Sequence, residues 1–237
     1  MKKYAVIVAS GKGSRMGTSV PKQFLPLRGK PILMYSMEAF YKYDIDIKIV
    51  IVISEDQQSF WYHLCRTHHF NIPHEIVAGG ETRFHSVKNA LDMIENKLGN
   101  QKEERTLIAI HDGARPLVNQ KIIDTTFKAA GAGMAACPVI PAVDSIRVKI
   151  HNGAGTRRVD RDEYLYVQTP QVFPSRTIFG AYLQPYSERF TDDMSVVELS
   201  RRKCLIKIVE GSYENIKITT PFDLAAAEAF LNTTCRT

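Results

Sequence analysis

Glycines, lysines and arginines, rather than histidines or cysteines, are the residues whose spacing in this chain supports chemistry. Ser10-Gly11-Lys12-Gly13-Ser14-Arg15-Met16-Gly17 follows the first apolar run, and Pro21-Lys22-Gln23 comes just after it. Glycines let backbone N–H groups approach a phosphate chain closely, while Arg15 and Lys22 add positive charge. Two better-known phosphate loops do not fit. A dinucleotide fingerprint needs G-x-G-x-x-G opening a helix at once and an acid about 20 residues later. Here the spacing is one residue longer and Glu55 is too distant. A Walker loop needs Gly-Lys and Ser/Thr after four spacer residues, and that run is absent. What is left is a glycine loop with a built-in arginine and a downstream lysine. An ordinary glycine turn with solvated bases is the competing reading.

The other chemical candidates are thin. Cys65, Cys137, Cys204 and Cys235 form no CxxC pair, and His68–His69 and His111 are read as standing alone rather than as partners in a ligand set. Neither a structural zinc site nor a redox role is expected.

The elements that must position the loop alternate between apolar and amphipathic. Strands are expected at Tyr4–Ala9, Ile47–Ile53, His74–Ala78, Thr106–His111 and Met134–Val139. Their continuous β-branched runs suit strands buried on both faces. Helical spacing runs between them: from Pro31 to Phe40 with proline in the first turn, and then over 55–68, 83–98 and 122–130. Five strand–loop–helix repeats with right-handed crossovers predict an α/β fold, a doubly wound three-layer, mostly parallel sheet. No internal repeat or low-complexity linker divides it, so residues 1–237 are expected to form one domain. Helices at 175–186, 192–200 and 221–231 and a strand at 205–209 complete the pattern. In such sheets ligands sit beyond the carboxyl ends of the strands, where the glycine loop falls.

The pattern breaks at residues 141–166. Ser145–Ile150 and Arg157–Arg161 alternate in polarity around Asn152-Gly153, a hairpin signal. So polar a hairpin has little surface to bury alone. It either lies over the domain or reaches into a partner subunit. Its arginines, Arg157, Arg158 and Arg161, can equally be solvated edge charges that discourage strand aggregation.

Composition sets the outer limits. The 237 residues are 44% hydrophobic and 24% charged, the mix of a folded soluble chain. No apolar run reaches the roughly 18 residues of a membrane span. The apolar stretch Tyr4–Ala9 enters a glycine loop instead of a cleavage site, so it reads as a buried strand rather than a signal peptide, and a cytoplasmic location is expected. The net charge of +6 is scattered along the chain. That favours phosphorylated metabolites over nucleic acid, and neither a nucleic-acid nor a membrane partner is expected.

Eight motifs in order carry a resemblance. They are Gly11-x-Gly13-x-Arg15-Met16-Gly17 with Pro21-Lys22-Gln23-Phe24-Leu25; Gly79-Gly80-x-x-Arg83-x-x-Ser86-Val87; His111-Asp112-Gly113-Ala114-Arg115-Pro116; Asp144-Ser145; Gln168-Thr169-Pro170-Gln171-x-Phe173; Thr191-Asp192-Asp193-x-Ser195-Val196-Val197-Glu198; and Gly211 through Asn215-Ile216-Lys217-Ile218-Thr219 to Pro221. Together they resemble the polyol-phosphate nucleotidyltransferases, and more narrowly the 2-C-methyl-D-erythritol 4-phosphate cytidylyltransferase family. The resemblance implies transfer of CMP from CTP to a polyol phosphate with release of pyrophosphate. Arg15, Lys22 and Lys217 then match the cations set against the triphosphate. Ala9, Ser10, Gly11, Gly13, Gly79, Gly80 and Ser86 match the nucleotide pocket, although Ser86 can also be a helix N-cap or a surface hydroxyl. Asp112, Arg115 and Thr169, with Ser145, Arg147 and Arg161 from the hairpin of a second subunit, match the polyol-phosphate site; Asp112 alone can also be a helix cap. Mg²⁺ held mainly by the CTP phosphates and a homodimer exchanging the 141–166 arm are likewise implied.

This chain departs from the family's usual pattern at Val8, Ser10, Gly113 and Ser145, none of which removes a cation. Ribitol 5-phosphate is the alternative acceptor. A non-catalytic nucleotide-binding module and a dinucleotide-dependent oxidoreductase are the rival classes; the three retained cations count against the first, and the loop spacing and missing acid against the second.

Overall fold

The computed structural model describes residues 1–11, 20–99, 105–150, 155–201 and 204–234. Gly13, Arg15 and the Asn152-Gly153 turn therefore lie outside the described residues. In chain order the elements are β1 (Lys2–Val8), β2 (Pro26–Leu27), β3 (Lys30–Pro31), α1 (Ile32–Tyr43), β4 (Lys48–Ile53), α2 (Gln58–Thr67), β5 (His74–Ala78) and α3 (Arg83–Leu98). They continue with β6 (Thr106–Asp112), α4 (Gln120–Gly131), β7 (Ala135–Pro141), β8 (Arg147–Lys149), β9 (Thr156–Arg158), β10 (Leu165–Val167), β11 (Gln171–Pro174), α5 (Ser175–Ala181), α6 (Asp193–Glu198), β12 (Ile206–Glu210) and α7 (Pro221–Thr234).

Alternation within the strands builds the three layers. Side chains of a strand point to opposite faces in turn, so Ala5 and Ile7 of β1 join Ile49, Ile51 and Ile53 of β4 on one face. There they pack on Leu33, Met37 and Phe40 of α1, Trp61 of α2 and Ile123 and Phe127 of α4. Tyr4, Val6, Val50, Val52, Ile108 and Ile110 point the other way, onto Val87, Leu91 and Ile94 of α3 and onto α5 and α6. Burying each such branched side chain is worth roughly 1.5–3 kcal/mol, which leaves little freedom in register. The doubly wound, mostly parallel sheet is therefore present. β6, β1, β4 and β5 lie side by side in parallel, and β12 runs parallel to β7.

Two strands differ from the sequence pattern. β11 is antiparallel to both β6 and β7 and separates them, and β10 continues along the same side of β7. The Gln168 N–H, between them, donates to the Pro138 carbonyl at 2.8 Å. The fifth strand consequently leads to the arm rather than to a helix. Pro31 ends β3 as the residue before α1, not inside its first turn. The helix expected to reach residue 186 stops at Ala181; Pro185 has no N–H to offer the Ala181 carbonyl, and its ring would clash with that carbonyl in a continued helix. β8 and β9 form their own two-stranded sheet, and most of the described residues of the arm are exposed.

Candidate active site

Parallel strands end together, so their following loops meet. Ala9–Gly11 after β1, Ser54 and Glu55 after β4, and Gly79 and Gly80 after β5 line one cavity of about 500 Å³. Lys22, Arg83, Asp112 and Lys217 complete its wall. The glycines are required by close approach. A Cβ on Gly79 would lie 2.5 Å from Ser10 Cβ, and one on Gly80 would lie 2.5 Å from His85 Cβ. Ser10 Oγ and Ser86 Oγ are 2.9 Å apart, and Ser86 Oγ accepts the Gly80 N–H at 3.0 Å. Ser86 is therefore neither an N-cap nor a surface hydroxyl: it is buried, and Thr82 caps α3.

Asp112, the last residue of β6, is the electrostatic centre. Lys217 Nζ is 2.8 Å from its Oδ2, Arg115 Nε 3.7 Å from the same oxygen, and Arg83 Nε 3.5 Å from Oδ1. Burial alone would push the Asp112 carboxyl up, but Arg83, Lys217 and Arg115 outweigh it and hold the group well below the usual carboxylate range. The carboxylate is ionised, and it is not a helix cap, since Asn119 caps α4. The neighbouring His111 is buried, which lowers its ring to about 4 and keeps it neutral. Its Nε2 lies 3.1 Å from the Arg115 carbonyl, which can only accept, so that nitrogen carries the proton. Nδ1 then accepts from Thr169 Oγ1 at 3.1 Å, and Thr169 Oγ1 accepts the Asp112 N–H at 3.0 Å.

Lys217 reaches Asp112 from the far end of the chain because buried Asn215 and Ile218 anchor its segment on either side. Gly211 passes where a Cβ would meet Gln168 Oε1 at 2.7 Å and the Val139 carbonyl at 2.9 Å. Asn215 Nδ2 donates to Gln168 Oε1 and to the Thr169 carbonyl, while its own carbonyl accepts Arg115 Nη1 at 2.7 Å. Lys22 Nζ donates to the Ile218 carbonyl at 3.0 Å, and Gln23 Nε2 to the Ala9 carbonyl at 2.6 Å. The glycine-loop region and the Asn-Ile-Lys segment thus share one wall.

Of the expected site residues, Ala9, Ser10, Gly11, Lys22, Gly79, Gly80, Ser86, Asp112 and Lys217 line the cavity. Arg115 and Thr169 stand behind Asp112, bound to it or to its backbone. Ser145, Arg147 and Arg161 lie on the exposed arm. Arg147 donates to Thr156 and Arg161 to the Val143 carbonyl, so both are tied within the arm, and none of the three lines the cavity. Sequence reasoning quoted Arg83, Asp193 and Asn215 inside motifs without assigning them work, and it dismissed Glu55, which lines the cavity. Among the described residues no cluster of three metal-ligating side chains exists. Asp112 is already surrounded by cations. These donors fit a magnesium ion carried mainly by substrate phosphates, the usual habit of that ion, rather than one caged by protein. No described helix is long and apolar enough to cross a membrane.

The family model for 2-C-methyl-D-erythritol 4-phosphate cytidylyltransferase matches residues 4–233. A relative of that name from Azobacteroides pseudotrichonymphae is 49% identical over 97% of this chain and 99% of its own length. Another from Bacteroides fragilis is 48% identical over 96% and 98%. The solved structure of 4-diphosphocytidyl-2C-methyl-D-erythritol synthase from Anaerococcus prevotii matches with a TM-score of 0.79 at 25% identity, covering 98% of this chain and 96% of that one. The 2-C-methyl-D-erythritol 4-phosphate cytidylyltransferase of Thermus thermophilus gives 0.74 at 27%, covering 98% and 100%. A family model over nearly the whole chain, a shared fold and relatives spanning almost the full length converge: the chain belongs to the 2-C-methyl-D-erythritol 4-phosphate cytidylyltransferase family of nucleotidyltransferases.

Proposed function

We propose that the chain transfers the CMP moiety of CTP to 2-C-methyl-D-erythritol 4-phosphate, forming 4-diphosphocytidyl-2-C-methyl-D-erythritol and pyrophosphate, and that fixed cations drive the transfer. The observation that carries this is the Lys22–Ile218 contact at 3.0 Å, which joins segments 196 positions apart beside the Asp112–Lys217 pair. An oxygen of the acceptor's phosphate attacks the α-phosphorus of CTP, and the bond to the pyrophosphate oxygen breaks. No general base is needed, because a phosphate monoester with a second pKa of about 6 is already largely dianionic at neutral pH. The barrier is repulsion between two anions and the charge that grows on the α-phosphate oxygens, which preorganised cations lower.

Lys22 and Lys217 supply that charge from the described wall, with Arg15 assigned the same work. Ala9, Ser10, Gly11, Gly79, Gly80 and Ser86 hold the nucleoside, where the glycines let main-chain groups come close to the base; Gly13 belongs to the same loop. Asp112, backed by Arg115 and Thr169, faces the polyol hydroxyls. Magnesium, when bound through the CTP phosphates, neutralises part of their charge. Ser145, Arg147 and Arg161 reach the acceptor phosphate from the arm of a second copy. Three consecutive exposed apolar residues, Leu165, Tyr166 and Val167, support such a homodimer. Both substrates are water-soluble metabolites, which supports a cytoplasmic setting without membrane or nucleic-acid partners. Ribitol 5-phosphate is not favoured, since the family model and the relatives compared carry the methylerythritol name.

The test is pyrophosphate release from CTP and magnesium with each polyol phosphate in turn. Methylerythritol phosphate should be strongly preferred, and Lys217→Ala should cut its turnover by about 10²–10³-fold. Equal use of ribitol 5-phosphate, or normal turnover in the variant, would sink this assignment.

A further inference from the structure

Arg83 opens α3 and lies between two carboxylates from distant elements. Its Nη2 is 2.6 Å from Asp193 Oδ2, and its Nε is 3.5 Å from Asp112 Oδ1. Asp193 is fully buried at the start of α6, where its other oxygen accepts the Tyr182 hydroxyl at 2.6 Å. Tyr182 stacks on Phe84, the residue after Arg83, with ring centroids 4.7 Å apart. The guanidinium is thus gripped from behind by the core while its front meets the site. A planar fork can span two carboxylates in this way, and a lysine point charge cannot.

The arrangement matters because Lys217 has two claims on its charge. It sits on Asp112 Oδ2, and in the reaction read above it must also face a phosphate. Arg83, Arg115 and Lys217 against Asp112 and Asp193 leave one positive charge, three minus two. If Lys217 turns to the phosphate, Arg83 and Arg115 still balance both carboxylates. Without Arg83, Asp112 would claim Lys217 as a main counter-ion, and Asp193 would be a buried anion without its guanidinium.

We propose that Arg83 is a positioning residue: anchored on Asp193 and Tyr182, it steadies Asp112 so that Lys217 is released to the transferring phosphoryl group. This rests on the roles given above to Lys217 and Asp112. Arg83→Gln alone strands Asp193, so it should lower both Tm and activity. The informative variant is Arg83→Gln with Asp193→Asn, which removes cation and orphaned anion together. Its Tm should return close to wild type while kcat stays down roughly 10²-fold and KM for CTP moves by less than about threefold. Arg83→Lys keeps the charge without the fork, and should lose about tenfold in kcat at near-normal Tm. Wild-type kcat in either the double variant or Arg83→Lys overturns the proposal. Normal turnover in Lys217→Ala would remove the underlying assignment and this inference with it. A crippled Lys217→Ala beside a fully active double variant would overturn the role of Arg83 alone.

Discussion

His111 and Asp112 are neighbours on β6, both buried, yet the fold keeps one neutral and the other ionised. Burial lowers the His111 ring from 6.5 to about 4, so between those values the unfolded chain binds a proton that the folded chain refuses. Stability therefore rises with pH across that window, and is lost as pH falls through it, by up to roughly 3 kcal/mol. Asp112 acts lower down: its folded value is depressed, so its contribution is present above the ordinary carboxylate range and lost only below it. Urea unfolding between pH 7 and 5 should show a steeper pH slope in the wild type than in His111→Asn, which keeps the part due to His74, whose ring burial also lowers; equal slopes would mean that the His111 ring is not neutral in the fold. Gly79 makes a steric case at the same scale. A Cβ there would overlap Ser10 Cβ at 2.5 Å, so Gly79→Ala should raise KM for CTP by more than about tenfold through displacement of the loop. Adding Ser10→Gly removes the obstructing atom and should restore most of that loss. An unrescued double variant would place the defect elsewhere.

The segment carrying Lys217, residues 211–220, has no regular secondary structure, so its order depends on individual side chains linking it to β10 and β11. Asn215 is the chief of these, satisfying Gln168 Oε1 and the Thr169 carbonyl together. Asn215→Ala would take the Asn215 donor from the Thr169 carbonyl, while Gln168 Oε1 keeps the Ser212 N–H, and a buried acceptor left short costs about 1–3 kcal/mol. Thermal unfolding should register that loss, and turnover should fall with it as Lys217 loses its support; an unchanged Tm would refute the linkage. The same region marks where sequence reasoning succeeds and fails. β1, β4 and β6 were legible because runs such as Ile49–Ile53 can be buried on both faces only as central strands. β11 was not, because Pro170 just before it and Pro174 at its end argue against a strand, and β10 is only three residues long. The tertiary setting overrides that: Gln171 donates to Asp192 and accepts the Met194 N–H, so its amide is fully employed inside the core. Asp112 was legible only through the resemblance carried by its motif. Arg83 was not, since its meaning depends on Asp193, 110 positions away.

At the scale of the molecule, one chain carries a cavity where Lys22, Arg83 and Lys217 meet Glu55, Glu81 and Asp112 and, apart from it, an arm rich in arginines. The strand leaving that arm is unusual. Successive residues of a strand face opposite ways, so exposure of Leu165, Tyr166 and Val167 together means that β10 is bare on both faces. Exposed apolar surface of this kind marks an interaction site more often than an idle surface. If a second copy covers it, as proposed above, the partner's arm would join two features that a single chain keeps apart. The consequence can be counted. Lys217→Ala and Arg161→Ala should each be inactive or nearly so for different reasons, the first failing at transfer and the second at holding the acceptor phosphate while CTP still binds. In a heterodimer of the two, one site inherits both lesions and the other inherits neither. After equal mixing and random subunit exchange, half the dimers are mixed and half of their sites are whole, so activity should return to about a quarter of wild type. Activity no higher than the parents, in dimers verified as mixed, would mean that each site is completed within its own chain and that Arg161 serves the arm alone.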